Sequence, residues 1–181
     1  MTIRKELLAA LLLISGSNAA AQIPAGMKVG LVEYLQGGYE GLKSTVTSTA
    51  ERMPDADFGF RPSNQAHVRT FAQVVAHIAS SQFSTCANLR GTPNPVAGRD
   101  LEKELTSRPA VLKALAESFA FCDDAMASLS DATASELVNV GRGQAARAAV
   151  IAGLLAHTSE MYGISTVYLR AKNIVPPASE R

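Results

Sequence analysis

The chain has 181 residues, of which 47% are apolar, 18% charged and 6% aromatic, and 17 lysines and arginines stand against 16 acidic residues. That length makes one globular domain able to bury a core, since a domain of this size removes roughly 70% of its unfolded surface from water. The balanced charge excludes nucleic-acid binding driven by counterion release and supplies no basic face for a membrane surface.

Residues 1–21 read as an export signal. Arg4 and Lys5 form a positive start, Leu7 to Ile14 is an apolar run, and Ala19, Ala20 and Ala21 supply small residues for cleavage. The mature domain is expected to span 22–181, in a periplasmic or secreted location. The apolar run is far shorter than the roughly 20 residues a membrane helix needs, so no stable membrane anchor is expected. Cleavage removes Arg4, Lys5 and Glu6, which leaves the charges balanced.

From Val29 to Met53 the chain predicts a first long helix, with Val32, Tyr39, Val46 and Met53 in one stripe and Leu35, Leu42 and Thr49 interleaved. Gly37, Gly38 and Gly41 interrupt it, at a cost near 1 kcal/mol each relative to alanine unless they admit a neighbour or mark a bend. Pro54 closes the helix, and Asp55 to Arg69, with Arg61-Pro62, is read as a loop. Thr70 is placed to cap a second helix with Phe71, Val75, Ile78, Gln82 and Leu89 on its inner side and Gly91 as its stop. After a loop holding Pro93 and Pro95, Glu102 to Leu105 makes a helical turn at most. Ser107 then precedes a third helix with Pro109 near its start and Leu112, Leu115, Phe119, Cys122, Met126 and Leu129 along its seam.

Asp131 to Gly143 reads mostly as connection. A fourth long helix is predicted from Ala145 to Asn173, ended by Pro176-Pro177, with Val150, Leu154, His157, Met161, Ile164 and Tyr168 as its seam. Four amphipathic segments, without a convincing strand pattern or an internal repeat, predict an all-α fold: a four-helix bundle. The long connection between helices two and three leaves the helix order open.

Both cysteines, Cys86 and Cys122, fall in predicted helices. An even count in an oxidising compartment favours one disulfide over two free buried thiols, and a C-x-x-C redox pair is absent. Gly141-Arg142-Gly143-Gln144-Ala145-Ala146 fits the letters of a dinucleotide-binding loop, and Leu137 to Val140 before it can pass for a strand. That loop requires a β-α-β unit, however, so these glycines are read as a lead into the last helix. Neither a G-x-S-x-G elbow nor the E-x-x-H pair of di-iron bundles occurs. Asp123 and Asp124 are adjacent and are read as a solvated face.

Histidine carries the most information. His77 lies on the flank of the apolar face of helix two, His157 lies in the seam of helix four, and His67 sits in a loop, where a surface role is expected. A lone histidine on an apolar face is usually a hydrogen-bonded core residue, but two facing each other across a bundle point to a shared site.

The run His157-Thr158-Ser159-Glu160-Met161-Tyr162-Gly163, continued by Val167-Tyr168-Leu169-Arg170 and Ile174-Val175-Pro176-Pro177, resembles the last helix of the DinB-like superfamily. Phe60-Arg61-Pro62, Thr70-Phe71 and Val75-Ala76-His77-Ile78-Ala79 resemble its second-helix region, and with Ser118 to Cys122 the similarity covers most of residues 28–177. The resemblance implies a four-helix bundle with a divalent metal, zinc or nickel, held by one histidine on helix two and an H-x-x-x-H pair on the last helix. It matches His77 and His157 to two of these ligands and puts Met161 at the third. A thioether is a soft ligand suited mainly to Cu(I). Glu160 is the adjacent substitute, about 100° round the helix. Family members include thiol-dependent transferases, an isomerase and proposed hydrolases. Two functions follow for this chain: a binding module that takes a small-molecule ligand with a weak metal centre or none, or a metal-dependent transferase or hydrolase using His77 and His157. Export counts against a cytoplasmic thiol cofactor and favours the binding module. The glycines of helix one leave room for a homodimer.

Overall fold

The computed structural model describes residues 23–180, so the expected signal segment 1–21 and its cleavage point lie outside the described residues. Four long helices form a bundle: α1 (Leu31–Arg52), α2 (Phe71–Arg90), α4 (Arg108–Ala127) and α5 (Arg147–Ala171). One turn, α3 (Leu101–Glu104), sits in the connection from α2 to α4. A two-stranded hairpin, β1 (Leu137–Val140) and β2 (Gly143–Ala146), precedes α5. The all-α bundle expected from the periodicity is present. Among the described residues no helix is long and apolar enough to cross a membrane.

The predicted stripes of α1, α2 and α4 are buried, apart from Val32, Leu42 and Leu112, which are half-buried. Helix α2 packs on α4 and α5, and α1 packs on the same two helices, so α1 and α2 occupy one diagonal of the bundle and α4 and α5 the other. Sequence neighbours therefore cross the bundle twice, through residues 53–70 and through the hairpin segment.

Both crossings are fastened to the helix they lead into. At the start of α2, the amides of Phe71 and Ala72 donate to the carbonyls of Phe60 and Phe58, each at 2.9 Å. Thr70 and Gln73 complete a reciprocal cap there, and Gly91 ends the helix at φ 64°. At the start of α5, Arg147 N donates to Glu136 O at 2.8 Å and Ala148 N to Ala134 O at 2.9 Å. The preceding chain thus satisfies amides that every helix leaves without an internal partner.

The hairpin corrects the reading of 131–143 as connection and of the Gly141–Ala146 run as a helix lead-in. Val140 pairs with Gly143, so Gly141 and Arg142 are the turn, and Gly141 takes φ 58°, a value that suits glycine at the first turn position. The segment Leu137 to Val140 that can pass for a strand is one, but β2 has no alternation of buried and exposed side chains, so the pairing leaves no signal in the sequence.

Helix α5 also departs from expectation. Its buried face is Ile151, Leu154, Thr158, Met161, Ser165, Tyr168 and Leu169, while Val150 and His157 are half-buried on its flank and Ile164 is exposed. The seam is displaced from the one read in the sequence because the many alanines, glycines and hydroxyl residues of α5 give no sharp apolar contrast. Within α1, a Cβ at Gly38 would meet Leu155 at 3.4 Å, whereas Gly37 and Gly41 face open space. Asp123 is not simply solvated: it accepts from Lys43 Nζ at 2.7 Å and from the Tyr39 hydroxyl at 2.9 Å, tying α1 to α4. Cys86 and Cys122 form a disulfide between α2 and α4, with Cα atoms 5.2 Å apart.

Candidate functional site

Helix α2 presents His77 on its second turn, and α5 brings His157 opposite. The two rings meet edge to face, with centroids 5.2 Å apart and planes at 74°. The expected convergence of these histidines therefore holds. Both remain half-buried at the mouth of a cavity, outside the apolar core.

Each ring is held by a neighbour. His77 Nδ1 lies 2.7 Å from Glu102 Oε1, and the same carboxylate accepts from Arg69 Nε at 2.6 Å and Nη2 at 3.2 Å. Arg69 is itself fixed from α5, because the Tyr168 hydroxyl donates to its carbonyl at 2.7 Å. The two segments that flank α2, one carrying Arg69 and the other α3, thus close over His77. Burial alone would raise the Glu102 carboxyl, but Arg69 and His77 outweigh it and hold the group below the ordinary carboxylate value. His157 Nε2 lies 3.1 Å from Ser81 Oγ, one helical turn after His77. Burial pushes the His157 imidazole down, and the nearby His77 adds to this against an opposing effect of Glu160.

The cavity beyond the rings, about 590 Å³, runs between α2 and α5. Its α2 wall is polar: Ser80, Ser81, Ser84, Thr85 and Asn88 recur at helical spacing. Its α5 wall is small and apolar, with Ala149, Val150, Gly153 and Leu154, and Val140 of the hairpin lies at the far end. A space with one hydroxyl-rich wall, one apolar wall and two imidazoles at its head can take a small amphipathic molecule in a defined orientation.

The other residues singled out by sequence are elsewhere. Met161 is 6% exposed and belongs to the apolar core. Glu160 and His67 are exposed. Three side chains around the two rings are not singled out by the sequence. Arg69 and Glu102 come from connecting segments far from His77 in the chain, and no spacing rule joins them. Ser81 carried a usable signal, since it stands four residues after His77 on the same face.

The three-histidine metal site that the resemblance implies does not fit the residues present. Two imidazoles approach each other, but the third position is a methionine of the apolar core. Among the described residues, no three histidine, cysteine, aspartate or glutamate side chains are grouped so as to hold an ion.

No curated protein matches the chain. A DinB-like protein from Bacillus cereus ATCC 10987 is similar in structure with a TM-score of 0.64 at 13% identity, covering 78% of this chain and 95% of its own. A DinB-like protein from Bacillus subtilis is similar at TM-score 0.60 and 14% identity, covering 81% and 99% respectively. At such identities the likeness shows the shared fold alone. The DinB superfamily model matches residues 39–161, which include His77 and His157, and the chain belongs to that superfamily.

Proposed function

We propose that this protein is an exported binding module that takes a small, partly apolar molecule into the cavity between α2 and α5 and holds a divalent metal weakly at most. The observation that carries this reading is the cavity itself. At about 590 Å³ it falls within the range typical of small-molecule pockets, and its polar groups are confined to one wall and one end. Export is supported by the charged, apolar and small-residue order of residues 1–21 and by a disulfide that an oxidising compartment would preserve.

Gly153 supplies the test, because a Cβ there meets nothing within 4 Å and the position lines the cavity. Wild-type protein is expected to bind 8-anilinonaphthalene-1-sulfonate saturably, with a rise in fluorescence. Gly153→Phe is expected to abolish that rise while leaving the helical circular dichroism unchanged. Equal probe binding in the two proteins would remove the cavity as the binding site.

A second reading, a metal-dependent transferase or hydrolase centred on His77 and His157, is favoured by one observation: the Glu102 carboxylate on His77 Nδ1 is the kind of partner that orients a ligating imidazole. Zinc retention separates the two. Wild-type protein is expected to lose zinc or nickel on dialysis against a mild chelator, because the two imidazoles lack a third protein ligand beside them. Tight, stoichiometric zinc in the wild type would favour the metal-dependent reading.

A further inference from the structure

We propose that Ser81 is a nucleophile and His157 its base, forming a metal-free pair that accepts the acyl group of small carboxylic esters. This rests on the reading of the cavity as a small-molecule site and goes beyond it by assigning a reaction. The Oγ to Nε2 distance of 3.1 Å is within the reach that nucleophile and base need, and both residues line the cavity, so a carbonyl carbon can approach the hydroxyl from the open side.

The pair also occupies the place where the family resemblance calls for ligating imidazoles. Here the Nε2 of His157 is engaged by a hydroxyl, and the third ligand position has been surrendered to the core as Met161. His77, in edge-to-face contact with His157 and fixed by Glu102, limits the rotation of the base, which makes it a positioning residue. Ser84 and Thr85, three and four residues after Ser81, share its face and offer hydroxyl donors along the same wall for an oxygen that gains charge.

In the first step, Ser81 Oγ forms a bond to the ester carbonyl carbon as its proton passes to His157 Nε2, and the carbonyl π pair moves onto oxygen. Return of that pair breaks the bond to the alcohol oxygen, which leaves with the proton from His157. An ester on Ser81 remains. Water then attacks the same carbon, His157 takes its proton and gives it to Ser81 Oγ, and the carboxylic acid departs. No oxidant, reductant or metal enters the balance.

The experiment is incubation of the full protein with p-nitrophenyl acetate, read by p-nitrophenol release and by intact-mass and peptide mass spectrometry. An early burst of p-nitrophenol and an acetyl group mapped to Ser81 are expected. Ser81→Ala should abolish the adduct, Ser81→Cys should restore one as a thioester, and His157→Gln should slow its formation by at least about 100-fold. EDTA should change none of these. Each variant is checked by circular dichroism, and the Ser81→Cys adduct guards against a folding defect at this position. Acetylation that persists elsewhere in Ser81→Ala while Ser81 itself is never labelled overturns the proposal. Absence of any adduct while anilinonaphthalenesulfonate still fills the cavity overturns the chemistry and leaves the binding reading standing. Loss of both overturns both.

Discussion

Replacing Cys86 and Cys122 together by alanine is expected to destabilise the fold by roughly 3 to 4 kcal/mol. The two positions are separated by 36 residues, and closing that segment withdraws conformational freedom from the unfolded chain. Neither sulfur is exposed, so the alanines remain covered and add only a small loss of packing. For a chain of this size the melting temperature should fall by on the order of 10 °C. Thermal denaturation of the oxidised wild type and the double variant, followed by circular dichroism, measures this directly. The same burial predicts that dithiothreitol reduces the native protein only as fast as the bundle opens, so the reduction rate should rise steeply with mild denaturant. A fall below about 1 kcal/mol would show that the crosslink does not act through the unfolded state.

Phe71→Ala should have a comparable effect, a loss of about 3 to 5 kcal/mol, through packing in the native state. Phe71 is fully buried at the start of α2, with the Phe58 ring 5.3 Å away at 84° and the Tyr168 ring at 6.1 Å. Those rings bind the first crossing segment to α2 and α5. Removing Phe71 also loosens Tyr168, whose hydroxyl fixes Arg69, and through Arg69 the carboxylate that holds His77. Weaker probe binding in the cavity is therefore expected together with the lost stability, at temperatures where the variant is still folded. Phe71→Leu, which keeps most of the volume, should cost less than about 1.5 kcal/mol. A cost for the alanine variant no larger than that for leucine would contradict the packing described.

The sequence made the bundle legible because three of its four helices expose a sharp contrast between apolar and polar faces. The stripe from Tyr39 to Met53, the inner side from Phe71 to Leu89 and the seam from Leu115 to Leu129 can be read directly. Helix α5 was located but rotated, since Ala149, Gly153 and Thr158 do not say which side is inside. Of the hairpin, Leu137 to Val140 is legible as a possible strand, but its partner Gly143 to Ala146 is not, because it has no alternation of buried and exposed side chains. At the site, the two histidines were legible from resemblance and helical position. Glu102 and Arg69 were not, because a connection fixes its side chains by tertiary contact and leaves no regular spacing in the chain.

The diagonal placement of α1 and α2 has a consequence for the order of events in folding. Neither helix can use its immediate sequence neighbour as a partner, except where α2 meets α4 across the α3 connection. Closing the longer loop from α1 to α5 adds little to the free energy of the finished fold, since each doubling of loop length costs only about 0.6 kcal/mol, but distant pairings slow the search. Assembly is therefore expected to start at α2 and α4. A chain made from its N-terminus produces α1 before either of the helices it packs on. Until α4 and α5 are in place, Leu35, Tyr39 and Val46 stand open to water, and that interval is when the chain is most exposed to aggregation.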